Sequence, residues 1–272
     1  MLAADLVWPL RAAQGGAFTL EDEAAAPEAA VVSAVERPVL LGYAPDAPNG
    51  RAMLVLGGGG YTALMAGREG VQVARWLNGL GYHAFVLIHR FPHAGTGPSA
   101  PLDDALAAMA MIRGSGLADR GLGVIGLSSG GHLAACLAAR YPAAWGTAEA
   151  QRPDVMVIGY APVSTNAKGR TIVRDKPPLP PVEKQALYDA LQPDAQLLPD
   201  PPPTFIVYAG NDPVVPAINA QRLHDALRDA GGSSELHVFA DAPHGFALHT
   251  PDRPVSLWPR LCEAWLRQQG FL

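Results

Sequence analysis

At 272 residues the chain is long enough to bury one large α/β domain, and a hydrophobic fraction of 49% beside a charged fraction of 17% is that of an ordinary globular protein. A formal net charge of −5 with no basic stripe argues against nucleic acid as a partner. No apolar run approaches the length of a membrane span, and the two cysteines, Cys136 and Cys262, make neither a disulfide framework nor a zinc spacing.

Residues 1–30 carry little pattern, and the acidic, alanine-rich patch from Glu21 to Ala30 reads as an irregular arm over the surface. The N-terminus has no basic segment followed by an apolar one. That sets the expectation of a cytoplasmic protein, or a periplasmic or secreted one if a leader has been removed. Val31 to Tyr43 holds β-branched and apolar residues broken by Pro38, as one or two edge strands would. Turn residues from Pro45 to Gly50 lead into a short buried strand, Arg51 to Leu56, which runs out into four consecutive glycines.

From Gly70 to Leu80 the apolar positions Val71, Val73, Ala74, Leu77 and Leu80 fall at helical spacing, and Gly81 closes the segment as a C-cap. Tyr82 to Ile88 is the next strand. Pro98 and Pro101 precede a helix from Leu102 to Arg113, whose Asp103 and Asp104 read as a helix start that complements the dipole, not as a metal site.

The apolar run Leu122 to Ile125 then reaches Gly126-Leu127-Ser128-Ser129-Gly130 and passes directly into an Ala/Leu-rich helical segment. That is a strand, a tight turn and a helix, with Ser128 at the apex, where flanking glycines leave room for strand and helix to approach. Ser129 fails the same test because Leu127 stands two residues before it. The start of the helix offers unpaired N–H groups to an oxyanion forming beside Ser128.

Another strand follows at Asp154 to Gly159, and the alternation of strand and helix implies right-handed crossovers and a mostly parallel sheet with helices on both faces. From Ala161 to Pro203 the pattern loosens into proline-rich sequence with one helical candidate, Val182 to Leu191. Residues 161–203 read as a small cap or insert in a single domain spanning 1–272. So short an insert should leave the site open. Thr204 to Ala209 resumes the sheet and ends in Gly210-Asn211-Asp212. Ala217 to Ala230 is helical, Glu235 to Ala240 is the last strand, and Pro243-His244-Gly245-Phe246 follows it.

A serine hydroxyl needs a base within hydrogen-bond reach, and the base needs a carboxylate to fix its tautomer and stabilise its cation. Asp212 and His244 each follow a strand on the edge where Ser128 would emerge, in the order Ser, Asp, His that such a sheet imposes. His249 is the rival base; Asp241, Asp252 and Asp200 are rival acids. His83 and His237 lie in strands, His224 is expected solvated mid-helix, and His132 points away from the apex as a packing residue. His89 and His93 fall in a loop near the same edge, where the alternatives are contact with substrate and simple exposure, the commoner state of a lone loop histidine. The glycine run Gly57 to Tyr61 does not fit a dinucleotide site, since Glu69 and the strand from Ala84 to Ile88 do not complete that pattern. With Ser128 as nucleophile, an N–H from this loop and that of Ser129 would make a two-donor oxyanion hole.

These residues resemble the bacterial esterases of the α/β-hydrolase superfamily, in particular the acetylesterase or acetylxylan-esterase-like group related to hormone-sensitive lipase. The resemblance runs from about Ala52 to the C-terminus. Its motifs are Gly-Gly-Gly-Tyr at Gly58 to Tyr61, Gly-x-Ser-x-Gly-Gly-His-Leu-Ala at Gly126 to Ala134, Gly-x-Asp-x-x-Val-Pro at Gly210 to Pro216, and His-Gly-Phe at His244 to Phe246. Two departures stand out: Gly57 replaces the His or Pro of many relatives, and His89-Arg90 replaces their Tyr-Arg.

The resemblance implies the α/β-hydrolase fold and a serine carboxylester hydrolase of short acyl groups, with acetylated carbohydrates as one candidate substrate class. Ser128 would attack, His244 would move the proton, Asp212 would orient it, and the N–H groups of Gly59, Gly60 and Ser129 would hold the oxyanion. No metal or organic cofactor is expected, and a homodimer is left open. The alternatives are an amide or formamide hydrolase with the same three residues, and a non-catalytic binding protein on the same fold.

Overall fold

The computed structural model describes residues 2–11, 16–145, 152–173 and 175–272. In chain order the elements are β1 (Leu6–Pro9), β2 (Phe18–Leu20), β3 (Val32–Val35), β4 (Val39–Tyr43), β5 (Ala52–Leu56), α1 (Gln72–Gly79), β6 (His83–Ile88), α2 (Ala100–Arg113), β7 (Leu122–Leu127) and α3 (Ser129–Cys136). There follow β8 (Met156–Gly159), α4 (Val182–Ala190), α5 (Pro193–Gln196), β9 (Thr204–Ala209), α6 (Ile218–Asp229), β10 (Ser234–Phe239) and α7 (Trp258–Gln268). Eight strands form one sheet in the order β1-β4-β6-β5-β7-β8-β9-β10, and β2 pairs with β3 in a separate ribbon. The six strands from β6 to β10 along that order are mutually parallel; β4 runs antiparallel to β6, and β1 antiparallel to β4. This is the α/β-hydrolase fold, with helices covering both faces of the sheet. Among the described residues no helix is long and apolar enough to cross a membrane.

Burial explains why these segments are strands. β5, β7, β8 and β9 are buried at every position, so they read as unbroken apolar runs without the alternation of a half-wet sheet. β10 lies at the edge and stays only partly covered. Helices α1 and α6 present single stripes, Val73, Ala74 and Leu77 on α1 and Ala220, Leu223 and Leu227 on α6, whereas α3 is buried at every position.

The strand order also decides where a site can form. The chain leaves β5 toward β6 on one side and leaves β7 toward β8 on the other. The loops after β5 and β7 therefore diverge, opening a crevice at the carboxyl ends of two adjacent strands.

Three expectations need correction. Residues 1–30 are not simply an arm over the surface: Leu6–Pro9 is the outermost strand of the main sheet, in register from Leu6 opposite Gly42 to Pro9 opposite Val39. Phe18–Leu20 pairs with β3, and buried Ala30 accepts the Gly67 N–H at 2.7 Å. Strands of three and four residues are too short to show a period. Val39–Tyr43 is not an edge strand either; it is fully buried between β1 and β6, and Pro38 precedes it without interrupting it. The third correction concerns His224, which is half-buried and hydrogen-bonded to Ser234 Oγ at 2.8 Å, not solvated.

Of the two aspartates only Asp103 lies in the first turn of α2, which starts at Ala100; Asp104 falls just beyond it, and the two have different jobs. Asp103 accepts the Ser99 hydroxyl at 2.9 Å. Asp104, only 1% exposed, is gripped by Arg90, whose backbone N–H, Nε and Nη2 all donate to it at 2.7 to 3.2 Å. The fork anchors the end of β6 to α2. Removing one partner strands a buried charge, so Asp104→Ala should cost about 3 kcal/mol. A urea midpoint within experimental error of the wild-type value would contradict this.

Candidate active site

The crevice is built around a strained residue. Ser128 sits between β7 and α3 at φ 53° and ψ −124°, a conformation that side-chain-bearing residues seldom adopt. The surrounding packing enforces it. A Cβ on Gly126 would lie 2.3 Å from the Gly130 carbonyl oxygen, and one on Gly130 would lie 2.0 Å from that of Leu56, so strand and helix meet backbone to backbone. The Ser128 N–H is tied to the Gly159 carbonyl at 2.9 Å. The hydroxyl is left standing over the carboxyl edge of the sheet, on a residue that is half-buried.

The structure brings His244 and Asp212 to that hydroxyl. His244 Nε2 lies 3.0 Å from Ser128 Oγ, and Nδ1 lies 2.7 Å from Asp212 Oδ2. With Nδ1–H donating to the carboxylate, Nε2 is free to accept the serine proton. The second carboxylate oxygen accepts the N–H groups of Val214 and Val215, both at 2.8 Å. Burial acts to raise the pKa of Asp212, but the bonds from His244, Val215 and Val214 outweigh it and hold the carboxyl below its ordinary value. The side chain of Asp212 is fully covered while that of His244 is 21% exposed, leaving the base open to the crevice.

The rivals are elsewhere. His249 is exposed beside a separate groove lined by Glu28, Arg68 and Gln72. Asp241 is exposed and paired with Arg253 at 2.8 Å, and Asp200 and Asp252 are exposed. His237 bonds Glu235, and His93 accepts the Gly95 N–H. His89 is buried completely against the ring of Tyr61, so it is not a loop residue facing substrate. Among the described residues no cluster of three or more His, Cys, Asp or Glu could hold a metal ion, and Cys136 and Cys262 are free and buried.

The glycine run after β5 curls beside the serine, with Gly59 at φ 133° and Gly60 at φ 64°. Its donors are not equivalent. The Gly58 N–H donates to Glu69 Oε2 at 2.6 Å, and the Gly60 N–H to Ser129 Oγ at 2.9 Å. Among the described residues the N–H groups of Gly59 and Ser129 meet no protein acceptor, so these two are free to bind an oxyanion and Gly60 is engaged by a hydroxyl. The insert closes one side. Lys184 of α4 brings Nζ to within 3.5 Å of where a Cβ on Gly60 would be, and the rings of Tyr188 and Tyr61 meet edge to face at 5.6 Å. A groove of about 830 Å³ lies within the insert, walled by Asn166, Val173, Leu179 and Gln185 among others, and Ser128 and His244 are not part of its lining.

The profile of the prolyl oligopeptidase family matches residues 95–269. An acetylxylan esterase of Xylanibacter ruminicola is 27% identical over 224 residues, covering 76% of this chain but 43% of that protein. The chain thus spans under half the length of this relative. Among solved structures, an acetyl ester-xyloside bifunctional hydrolase from Caldicellulosiruptor lactoaceticus superposes with a TM-score of 0.73 at 28% identity, over 99% of this chain and 98% of that one. A carboxylesterase from Lactobacillus plantarum gives a TM-score of 0.69 at 21% identity, over 88% and 96% of the two chains, a likeness of fold.

Two buried polar residues at the site went unread in the sequence: Glu69, which rejected a dinucleotide motif but signalled nothing else, and His132, which looked like simple packing. His132 is fully buried, its Nε2–H donating to the Leu191 carbonyl at 2.9 Å while Nδ1 accepts the Tyr61 hydroxyl at 2.8 Å. One imidazole thereby joins the helix behind the serine, the glycine loop and the insert. Burial pulls its pKa down to about 4, opposed in part by the Leu191 carbonyl. Between the ordinary value near pH 6.5 and that lowered one, the unfolded chain takes up a proton that the folded chain refuses. The stabilising effect is therefore complete above the upper bound and drains away as pH falls, by about 3 kcal/mol. Urea midpoints at pH 7 and pH 4.5 should show this loss, and His132→Gln should show a smaller one; equal losses in both proteins would contradict the assignment.

Proposed function

The chain belongs to the prolyl oligopeptidase family, and we propose that within it this protein is a serine carboxylester hydrolase that removes short acyl groups, acetyl foremost, from carbohydrate esters. The observation that carries the reading is the relay of 3.0 and 2.7 Å from Ser128 through His244 to Asp212, set on a strained turn beside free backbone donors. The carbohydrate ester class is supported by the acetylxylan esterase and the acetyl ester-xyloside hydrolase that the chain resembles. The half-exposed serine beside a short insert suits small acyl groups on bulky alcohols.

In the first half-reaction Ser128 Oγ attacks the ester carbonyl as its proton passes to His244 Nε2, and the carbonyl oxygen becomes an oxyanion held by the N–H groups of Ser129 and Gly59. Gly60 adds its N–H once Ser129 Oγ turns away. The imidazolium, stabilised by Asp212, returns the proton to the alkoxide that leaves, forming the acyl-serine. Water then repeats the sequence: it loses a proton to His244, attacks the acyl carbon, and Ser128 recovers the proton as the carboxylic acid departs.

A second reading, an amide hydrolase, is favoured by one fact, that the family is named for an oligopeptidase. The same relay protonates an amine as readily as an alkoxide, so relative rates on an aryl acetate and an N-formyl anilide separate the two. Ser128→Ala should lower kcat on p-nitrophenyl acetate by about 10⁴-fold or more, and Asp212→Asn by about 10³- to 10⁴-fold, with unchanged thermal unfolding. Substantial turnover by the Ser128→Ala protein, or release of acetate from acetylated xylan no faster than from a lipid ester, would refute the respective parts of the proposal.

A further inference from the structure

Glu69 is a deeply buried carboxyl beside the serine, and the acyl-transfer relay makes no use of it. It is 3% exposed and lies in a short π turn, Ala66–Val71, at the start of α1. Its two oxygens face two different loops. Oε2 accepts the Gly58 N–H at 2.6 Å, and Oε1 accepts the Tyr160 hydroxyl at 2.9 Å. Gly58 is wedged so tightly that a Cβ on it would lie 2.5 Å from Glu69 Oε2 and 2.6 Å from Ser128 Cβ; only a hydrogen fits between carboxyl and serine.

Tyr160 continues the connection to the other side. Its oxygen accepts the Ala247 N–H at 3.2 Å, and its ring stands 5.2 Å from that of His244 and 4.5 Å from that of Phe246. The Ala247 carbonyl accepts Trp258 Nε1–H at 2.7 Å, fixing the same loop from behind. Because the Ala247 N–H already donates to the phenol oxygen, the phenol proton is free for Glu69, and both carboxyl oxygens act as acceptors. That pattern suits the ionised form. Burial is the largest influence and holds the pKa of Glu69 above its ordinary value, while Gly58, Tyr160 and the charges of His244 and Arg68 limit the rise.

We propose that Glu69 is a positioning residue of the esterase site, whose carboxylate locks the oxyanion loop to the histidine loop and sets a second negative charge, besides Asp212, behind the imidazole that becomes cationic. This rests on Ser128, His244 and Asp212 being nucleophile, base and orienting acid. The titratable and charged groups facing Glu69 are Tyr160 and His244 from the loops across the site and Arg68 from its own turn, with Asp212 bonded to the imidazole at Nδ1. In the attack step the serine proton arrives on His244, and the attraction of Glu69 for that cation grows as the barrier is crossed.

The test is the pH profile of kcat and kcat/KM on p-nitrophenyl acetate for the wild type and Glu69→Gln, normalised by fluorophosphonate titration of Ser128. Glutamine keeps the size and an acceptor for Gly58 but removes the charge. The expected result is a kcat about tenfold lower at unchanged KM, with the acid limb displaced about half a pH unit or more toward lower pH, because the protonated imidazole loses an attraction. An acid limb that does not move, whatever the rate, overturns the proposal. Normal wild-type labelling with an unmoved limb removes this proposal alone, whereas a wild type that the probe does not label at Ser128 removes the reading of the serine and this proposal with it. Should Glu69→Gln fail to fold, Tyr160→Phe carries the test: kcat should fall about tenfold at constant KM, and an unchanged kcat overturns the link.

Discussion

A backbone contact with no room for a side chain governs this molecule. At Gly126 and Gly130 the end of β7, the start of α3 and the end of β5 touch through main-chain atoms, and any Cβ there would fall inside a carbonyl oxygen. That closeness forces Ser128 into a positive-φ turn and lifts its hydroxyl clear of the sheet. Strain of this kind persists only where the surroundings over-determine it. Here the surroundings are the buried central strands, among the most fully covered parts of the fold.

Around that point the polar groups form a second layer of constraint. Asp212 holds the imidazole through a direct bond, and Glu69 binds Gly58 of the glycine loop and Tyr160, whose ring packs against that imidazole. His132 ties Tyr61 of the glycine loop to Leu191 of the insert. Such groups are expensive to bury without partners, so the network is worth most when every member is satisfied. It also means that the insert is not a free flap. It is hydrogen-bonded to the helix behind the serine, and all three lysines of the chain, Lys168, Lys176 and Lys184, lie within it.

The topology distributes these roles economically along the chain. The loops after β5, β7, β9 and β10 supply the glycine run, the serine, Asp212 and His244 respectively, each at the carboxyl end of a parallel strand. Parallel pairing places those ends on one edge, and the reversal of strand order at β5 keeps the crevice open. Residues distant in sequence therefore meet without any of them leaving the sheet's rim.

Much of this was legible before folding was considered. Unbroken apolar runs such as Ala52 to Leu56 and Thr204 to Ala209 mark strands because both faces of a parallel sheet are covered. The serine turn declares itself because only glycine tolerates such close approach, and the order Ser128, Asp212, His244 follows from the strand sequence. Only the tertiary structure could decide the rest. The strands Leu6–Pro9 and Phe18–Leu20 are too short to carry a period, and they exist because longer neighbours offer them an edge. Asp104, His132 and Glu69 look like a helix-start acid, a packing residue and a stray carboxylate, because their partners lie 14, 71 and 91 positions away at the farthest. Local pattern records which face of an element is buried; it holds no record of which polar group the fold will bring opposite.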